Sequence, residues 1–148
     1  MFPLKDDNPT TIKPIVTLSL ILLCFIIFIY QFSMSELKNY EFIYEWGMKP
    51  KETLNFFSIN NYFTLFSSMF LHGGFLHLIG NMLFLWIYGN NIEDSMGHIR
   101  FLFFYLLCGI AAALSQAIIN PSSNIPMIGA SGAVSGILSA YLLLFPRA

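Results

Sequence analysis

Long apolar runs separated by short polar segments are the dominant pattern along this chain. Residues 15–32 are almost entirely apolar, and a helix of that length, rising ~1.5 Å per residue, spans most of a hydrocarbon core of ~30 Å. Three further apolar blocks lie at residues 62–88, 99–119 and 127–145. The pattern predicts an all-α fold, a polytopic membrane helix bundle with four transmembrane helices.

Two polar interruptions refine this outline. The second block contains Leu71-His72-Gly73-Gly74 near its start, so the membrane helix is expected to begin close to the glycine pair. Gly89-Asn90-Asn91 follows the block and predicts a turn. Residues 33–60 mix charged with aromatic side chains, a composition that suits the membrane–water interface. This segment is therefore predicted to be an interfacial loop with short amphipathic helices.

Composition supports the membrane assignment. Hydrophobic residues make up 56% of the chain and charged residues 10%, whereas soluble domains carry about 25% charged residues. The formal net charge of −1 gives no basic surface for nucleic acid. Cys24 and Cys108 both lie within apolar runs, where a thiol is expected to be a free, buried hydrophobic group. The bilayer is the solvent to which this chain is suited.

The distribution of Lys and Arg predicts the orientation, because cytoplasmic loops are enriched in them. A cytoplasmic N-terminus places four basic residues inside the cell: Lys5, Lys13, Arg100 and Arg147. Three remain outside, in a long loop that also contains acidic residues: Lys38, Lys49 and Lys51. A multi-pass protein with its N-terminus in the cytoplasm is predicted.

Small residues recur along one face of the fourth predicted span, at Gly132, Gly136 and Ala140. Such faces allow two helix backbones to approach closely in lipid. With only four spans in the sequence, this face is expected to lack its partner, which would favour marginal stability or self-association.

Polar side chains at membrane depth are candidates for chemistry, because burying them in hydrocarbon is unfavourable. His77 and Asn81 are four residues apart and share one helix face, and His72 precedes them at the membrane entrance. Ser131 begins the fourth span between glycines, where a helix N-terminus offers free N–H groups to a developing negative charge. At similar predicted depths, these groups suggest acyl transfer.

Each candidate also has a structural interpretation. A serine in a membrane helix commonly donates a hydrogen bond to its own helix backbone, which is the alternative for Ser131. The imidazole and the amide could simply link helices. Glu93 and Asp94 are expected to cap the start of the third span, and His98 is expected to be a solvated loop residue.

Together, these motifs resemble those of the rhomboid proteases. The stretch from His72 to Asn81 reads HGGFLHLIGN, a His-x4-His-x3-Asn pattern, and the later segment reads Gly129-Ala130-Ser131-Gly132. Gly-x-Ser-Gly alone is weak, whereas both motifs in this order at membrane depth are specific. The resemblance extends over roughly residues 46–147.

The resemblance implies six transmembrane helices, of which four are present here in a partial rhomboid domain covering residues 1–148. It implies cleavage of transmembrane segments of other membrane proteins, without metal or organic cofactor. The implied site residues are Ser131 as nucleophile, His77 and Asn81 as oxyanion donors, and His72, Gly129 and Gly132 as lining residues. A prokaryotic cell membrane is the expected location.

The rhomboid general base is a histidine on the sixth span, and this sequence stops after the fourth. The 148-residue chain is therefore expected to be inactive by itself. A catalytically silent rhomboid-like protein that binds transmembrane helices is the first alternative. A haem-binding bundle using His72 and His77 is the second, although a spacing of five residues turns two side chains about 140° apart on a helix.

Overall fold

A computed structural model describes residues 8–54 and 59–146 of the chain. Lys5 and Arg147 from the orientation argument, and Phe56 and Phe57 of the interfacial loop, lie outside the described residues. Within that part the fold is all-helical, as predicted, with one isolated β-bridge. The α-helices in these ranges are α1 (Ile15–Phe32), α2 (Glu36–Trp46), α3 (Pro50–Thr53), α4 (Ile59–Ser67), α5 (Phe75–Met96), α6 (His98–Ile119) and α7 (Ser131–Leu144).

Two of these helices, α1 and α6, are long and apolar enough to cross a membrane. The second predicted span falls on two elements, because the chain bends by 85° between residues 61–70 and α5. The glycine pair lies at this bend, and α5 begins at Phe75 as expected. If the bent pair counts as one span, three candidates result. With 14 residues, α7 is a shorter apolar helix, about 21 Å long.

The turn predicted at Gly89-Asn90-Asn91 is wrong, because α5 continues through these residues to Met96. Gly89 is helical and faces Thr17 of α1, whose side-chain atoms would lie 3.1 Å from an added Cβ. The glycine therefore permits close packing of two helices. Gly97 ends α5 instead, with a positive φ of 78° that other residues adopt rarely.

The core of the bundle lies where α5, α6 and α7 meet, with α1 packed against α5. Its largest buried side chains come from these helices and include Leu85, Phe101, Tyr105 and Ile137. Many large apolar side chains on α1 and α6 point outward and are exposed, such as Ile29 and Leu107. An apolar exterior around an apolar core is what a lipid solvent requires.

The small-residue face of α7 packs closely on another helix, as its pattern predicted, and the expectation that it would lack a partner is wrong. Gly132 lies against Ala112, and Gly136 lies against Cys108, both on α6. A methyl group at either glycine would overlap those side chains. The four helices thus supply their own close contact, and this face does not require a second molecule. Cys108 and the buried Cys24 are free thiols, as predicted.

Gly132→Ala is expected to destabilise the bundle by about 1–3 kcal/mol, because the new Cβ would clash with the Ala112 side chain and force α6 and α7 apart. Gly80→Ala is the matched control, since nothing lies within 4 Å of its added Cβ. That change should be neutral or stabilising by up to about 1 kcal/mol. Unfolding of the purified variants in denaturing detergent measures both, and equal stabilities would contradict the close α6–α7 contact.

The sequence predicted that Glu93 and Asp94 cap α6, and this prediction is wrong. Glu93 is fully buried at the end of α5 and accepts hydrogen bonds from Val16 N (2.9 Å), Thr17 N (2.8 Å) and Thr17 Oγ1 (2.7 Å). It therefore caps the first turn of α1, where free N–H groups need acceptors. His98 was predicted to be a solvated loop residue, but it is the first residue of α6, and its Nδ1 is bonded to the Glu93 carboxylate.

Asp94 extends the same connection toward the N-terminus. Its Oδ1 accepts hydrogen bonds from Thr11 N (2.7 Å), Ile12 N (2.7 Å) and Thr11 Oγ1 (2.9 Å). Two neighbouring carboxylates on α5 thus position the segment that leads into α1 and the first turn of α1 itself. Residues about 80 positions apart in sequence are joined at this end of the bundle.

Candidate active site

Ser131 is the first residue of α7, and its side chain is exposed. At this position the residue four places earlier, Met127, is outside the helix, so the usual backbone acceptor for a helical serine is missing. Among the described residues, the Ser131 hydroxyl has no hydrogen-bond partner. Ser135 and Ser139, by contrast, donate to the carbonyls of Ser131 and Ser135 at 2.7 and 2.8 Å. The structural alternative for a membrane serine therefore describes its neighbours.

The loop before Ser131 is held by the backbone of two other segments. Met48 and Met127 form an isolated antiparallel bridge, with N···O distances of 3.1 and 2.7 Å. Gly129 N donates to Ser68 O at 2.8 Å. These bonds fix the point at which α7 begins, and so the direction of its free N–H groups.

His77 and Asn81 lie one turn apart on α5, beside this loop. The Asn81 side chain is 7% exposed, and its Nδ2 donates to His77 O at 3.0 Å. Gly129 has a φ of +113°, and a Cβ on it would lie 2.5 Å from His77 Nε2 and 3.7 Å from Asn81 Nδ2. Only glycine satisfies both the backbone angle and the close approach.

Ser131, His77 and Asn81 line one open groove of about 380 Å³ between α5 and α7. Its other lining side chains are mostly apolar: Leu76, Phe84, Val134 and Leu138, together with Gly80 and Ser135. The structure therefore brings together three residues that the sequence placed on two different helices at similar depth. A peptide carbonyl entering this groove would meet a free hydroxyl and two nitrogen-bearing side chains.

The orientation of the His77 ring indicates which nitrogen carries the proton. Gly73 N donates to His77 Nδ1, with an N···N distance of 3.4 Å. In a neutral imidazole, an accepting Nδ1 leaves the hydrogen on Nε2. Nε2 is the atom beside Gly129, so the ring presents an N–H donor there.

His72 lies behind His77 rather than in the open groove. Its residue is 1% exposed, its Nδ1 is 3.3 Å from Phe70 O, and its ring meets the His77 ring edge-on with centroids 5.1 Å apart. This contact helps to hold the orientation of His77. Two rings in direct contact leave no space for an iron and its porphyrin between them, which disfavours the haem alternative.

Gln31 is a positioning residue that the sequence reasoning missed. It lies in the last turn of α1 with 2% exposure, and its amide bonds both backbone groups of His72, accepting from N at 3.1 Å and donating to O at 3.2 Å. A lone amide within an apolar run was the available signal. Gln31 thereby joins α1 to the bend that precedes α5.

The comparisons with known proteins agree with these motifs. The family model described as Rhomboid domain matches residues 60–148. The chain is 34% identical over 104 residues to Rhomboid protease GluP of Bacillus subtilis, covering 70% of this chain and 19% of that protein. It is 37% identical over 78 residues to RHOMBOID-like protein 5 of Arabidopsis thaliana, covering 53% and 25%. With Rhomboid protein 1, mitochondrial, of Saccharomyces cerevisiae, identity is 35% over 94 residues, covering 57% and 26%.

The chain belongs to the rhomboid family, as its motifs predicted, and it is an integral membrane protein. Its alignments span about a fifth to a quarter of the length of these three relatives. The relatives come from a bacterium, a plant and a yeast, so a prokaryotic source and the orientation of the N-terminus stay predictions.

Proposed function

We propose that these residues form part of the active site of an intramembrane serine endopeptidase that cleaves transmembrane segments of other membrane proteins. The observation that supports this most strongly is the free Ser131 hydroxyl, which opens into the groove shared with His77 and Asn81. In the proposed reaction Ser131 Oγ attacks the carbonyl carbon of the scissile peptide bond. An acyl-enzyme forms as the amine leaves, and water then hydrolyses it.

The groove contains the donors that a tetrahedral intermediate needs. In this proposal the oxyanion accepts hydrogen bonds from His77 Nε2, from Asn81 Nδ2 and from the free N–H of Ser131. One Asn81 amide hydrogen is already bonded to His77 O, which orients the group and leaves the second hydrogen available. Gly129 precedes the serine without a side chain, which leaves room for the His77 ring beside it, whereas Gly132 packs on Ala112 of α6. The reaction requires neither a metal nor an organic cofactor.

The general base is proposed to be a histidine on a further helix, as the family resemblance implies. His77 is the one titratable side chain among the described residues that line the groove. Its donor tautomer suits oxyanion binding and not proton abstraction from Ser131. The 148 residues are therefore proposed to be inactive without that base, and a silent helix-binding protein is the alternative.

The position of the site supports an opening toward the extracytoplasmic side. Gln31, at the end of α1, bonds His72 beside His77, so the groove lies at the end of the bundle opposite to the start of α1. With the predicted cytoplasmic N-terminus, substrates would reach Ser131 from the outer half of the bilayer.

Replacing His77 or Asn81 by alanine in the natural protein that contains this sequence is expected to lower kcat by about 10²–10³. KM should change much less, because the donors act mainly on charge that develops in the transition state. Cleavage of a reconstituted transmembrane substrate, measured over a range of substrate concentrations, separates the two constants. Asn90→Ala is the matched control on α5, about two and a half turns beyond Asn81 and outside the groove. A rise in KM at constant kcat would contradict the oxyanion role.

A further inference from the structure

A second groove system lies between α1, α2 and α4, and none of the proposed active-site residues lines it. It consists of three adjoining depressions. The first, of about 430 Å³, is bordered by α1, α2 and α4. It shares Tyr30 and Phe42 with a polar depression of about 540 Å³. A third depression shares Trp46 and Phe63 with the first and Glu45 with the polar one. We call this continuous surface the α1–α2 trough.

The deeper part of the trough is apolar. Four aromatic rings follow one another along it, with centroid separations of 5.7 Å for Tyr30–Phe42, 6.1 Å for Phe42–Trp46 and 5.7 Å for Trp46–Phe63. Ser67 Oγ donates to Trp46 O at 2.6 Å and anchors α2 to α4. A wall of packed aromatic rings with an apolar floor is suited to a hydrocarbon chain.

The shallower part of the trough carries charge of both signs. Lys38, Glu41 and Glu45 lie at i, i+3 and i+7 on α2, hence on one helix face. All three side chains are exposed, and within the described ranges none of them forms an ion pair. A cation and two anions on one face are complementary in charge to a zwitterionic headgroup, in which a phosphate is joined to an ammonium group.

The vertical order of the two parts matches that of a phospholipid. The α1 helix ends at Phe32, so the polar part, near Ser33 and Ser35, lies at the membrane interface. Ile26, in the apolar part, precedes Ser33 by seven residues and lies about 10 Å deeper. Tyr30 and Trp46 border the trough between these levels, and tyrosine and tryptophan prefer the headgroup region.

We propose that the α1–α2 trough binds one molecule of phosphatidylethanolamine. Its acyl chain lies along the aromatic wall, its phosphate pairs with Lys38, and its primary ammonium donates hydrogen bonds to Glu41 and Glu45. Phosphatidylglycerol has no ammonium and would place its net negative charge beside two carboxylates. Phosphatidylcholine has the positive charge but no N–H donors. The affinity of the trough is therefore expected to be highest for the ethanolamine headgroup, lower for choline and lowest for glycerol.

Native mass spectrometry of the purified natural protein that contains this sequence, titrated with each lipid in turn, tests this order. Phosphatidylethanolamine should bind about three to ten times more tightly than phosphatidylglycerol, as expected for exposed charge pairs. Glu41→Gln combined with Glu45→Gln should remove this preference, and since both side chains are exposed, the change should leave folding intact. Equal binding of all three lipids to the unaltered chain, or an unchanged preference in the double variant, would overturn the proposal.

A second pair of variants tests the apolar part. Ile26→Trp fills the trough and should reduce phosphatidylethanolamine binding at least several-fold, whereas Ile29→Trp makes the same change at an exposed position on α1 outside the trough. Equal binding by these variants would overturn the assignment, as would a chain dimer that disappears in Ile26→Trp. The readout does not depend on Ser131, so the lipid site and the protease proposal fail independently.

Discussion

Replacing Ser131 with alanine in the natural protein is expected to abolish cleavage of a transmembrane substrate, with kcat falling by about 10⁴–10⁶. The hydroxyl is the proposed nucleophile, and the other hydroxyl among the described residues that line the groove, that of Ser135, donates to Ser131 O instead. A fluorogenic or epitope-tagged transmembrane substrate, reconstituted with the purified protein in liposomes, measures the loss. Substrate binding should persist, because the lining of the groove is unchanged.

Ser139→Ala is the matched control for this experiment. Ser139 lies two turns further along α7, outside the groove, and its hydroxyl bonds only its own helix. Its loss should leave kcat unchanged. Activity that survives Ser131→Ala at the control level would refute the nucleophile assignment. In the 148-residue chain alone, cleavage should be no greater with Ser131 than with alanine, and serine-dependent cleavage there would show that the base lies within these residues.

Glu93→Ala is expected to have the largest effect on stability, lowering the free energy of unfolding by about 3–5 kcal/mol. The substitution removes the acceptor for Val16 N, Thr17 N and Thr17 Oγ1. Because Glu93 is fully buried, the donors are left unsatisfied at a site shielded from solvent. Since domains are stable by about 5–15 kcal/mol, the purified variant should unfold at a much lower denaturant concentration.

Two comparisons separate the cap from a general effect of losing a glutamate. Glu93→Gln retains one oxygen acceptor with nearly the same shape. Its free energy of unfolding should therefore lie between those of the parent and the alanine variant. Glu41→Ala removes an exposed carboxylate from α2 and should change stability by no more than about 0.5 kcal/mol. If Glu93→Ala and Glu41→Ala were equally stable, the bonds across the bundle would have no role in holding α1.

The features that could be predicted from the sequence are those carried by local pattern. The apolar run of α1 has the length and composition of a membrane helix, so both of its ends were predicted correctly. The spacing of His77 and Asn81 places them on one face of any helix. Depth counted along the predicted spans was enough to propose that Ser131 lies near them, and the structure places all three on one groove.

The features that could not be predicted depend on contacts between distant segments. Gly89 was predicted to lie in a turn because its surroundings are polar, yet it is helical and packs against Thr17 of α1. Glu93 read as a cap for the next helix, whereas it caps α1 from 76 residues away. Local sequence shows that a glycine or a carboxylate is present, but not which helix end will reach it.

By itself the sequence determined the membrane environment, the helical class and the family, because these follow from hydrophobicity, periodicity and motif, and it supplied the proposal for the chemically active side chains. Only the tertiary structure decided that α6 covers the glycines of α7, that Gln31 holds His72, and that the His77 ring presents Nε2 beside Gly129. Those outcomes depend on how whole helices pack, since a hydrogen bond or a close contact exists only after both partners are fixed in space.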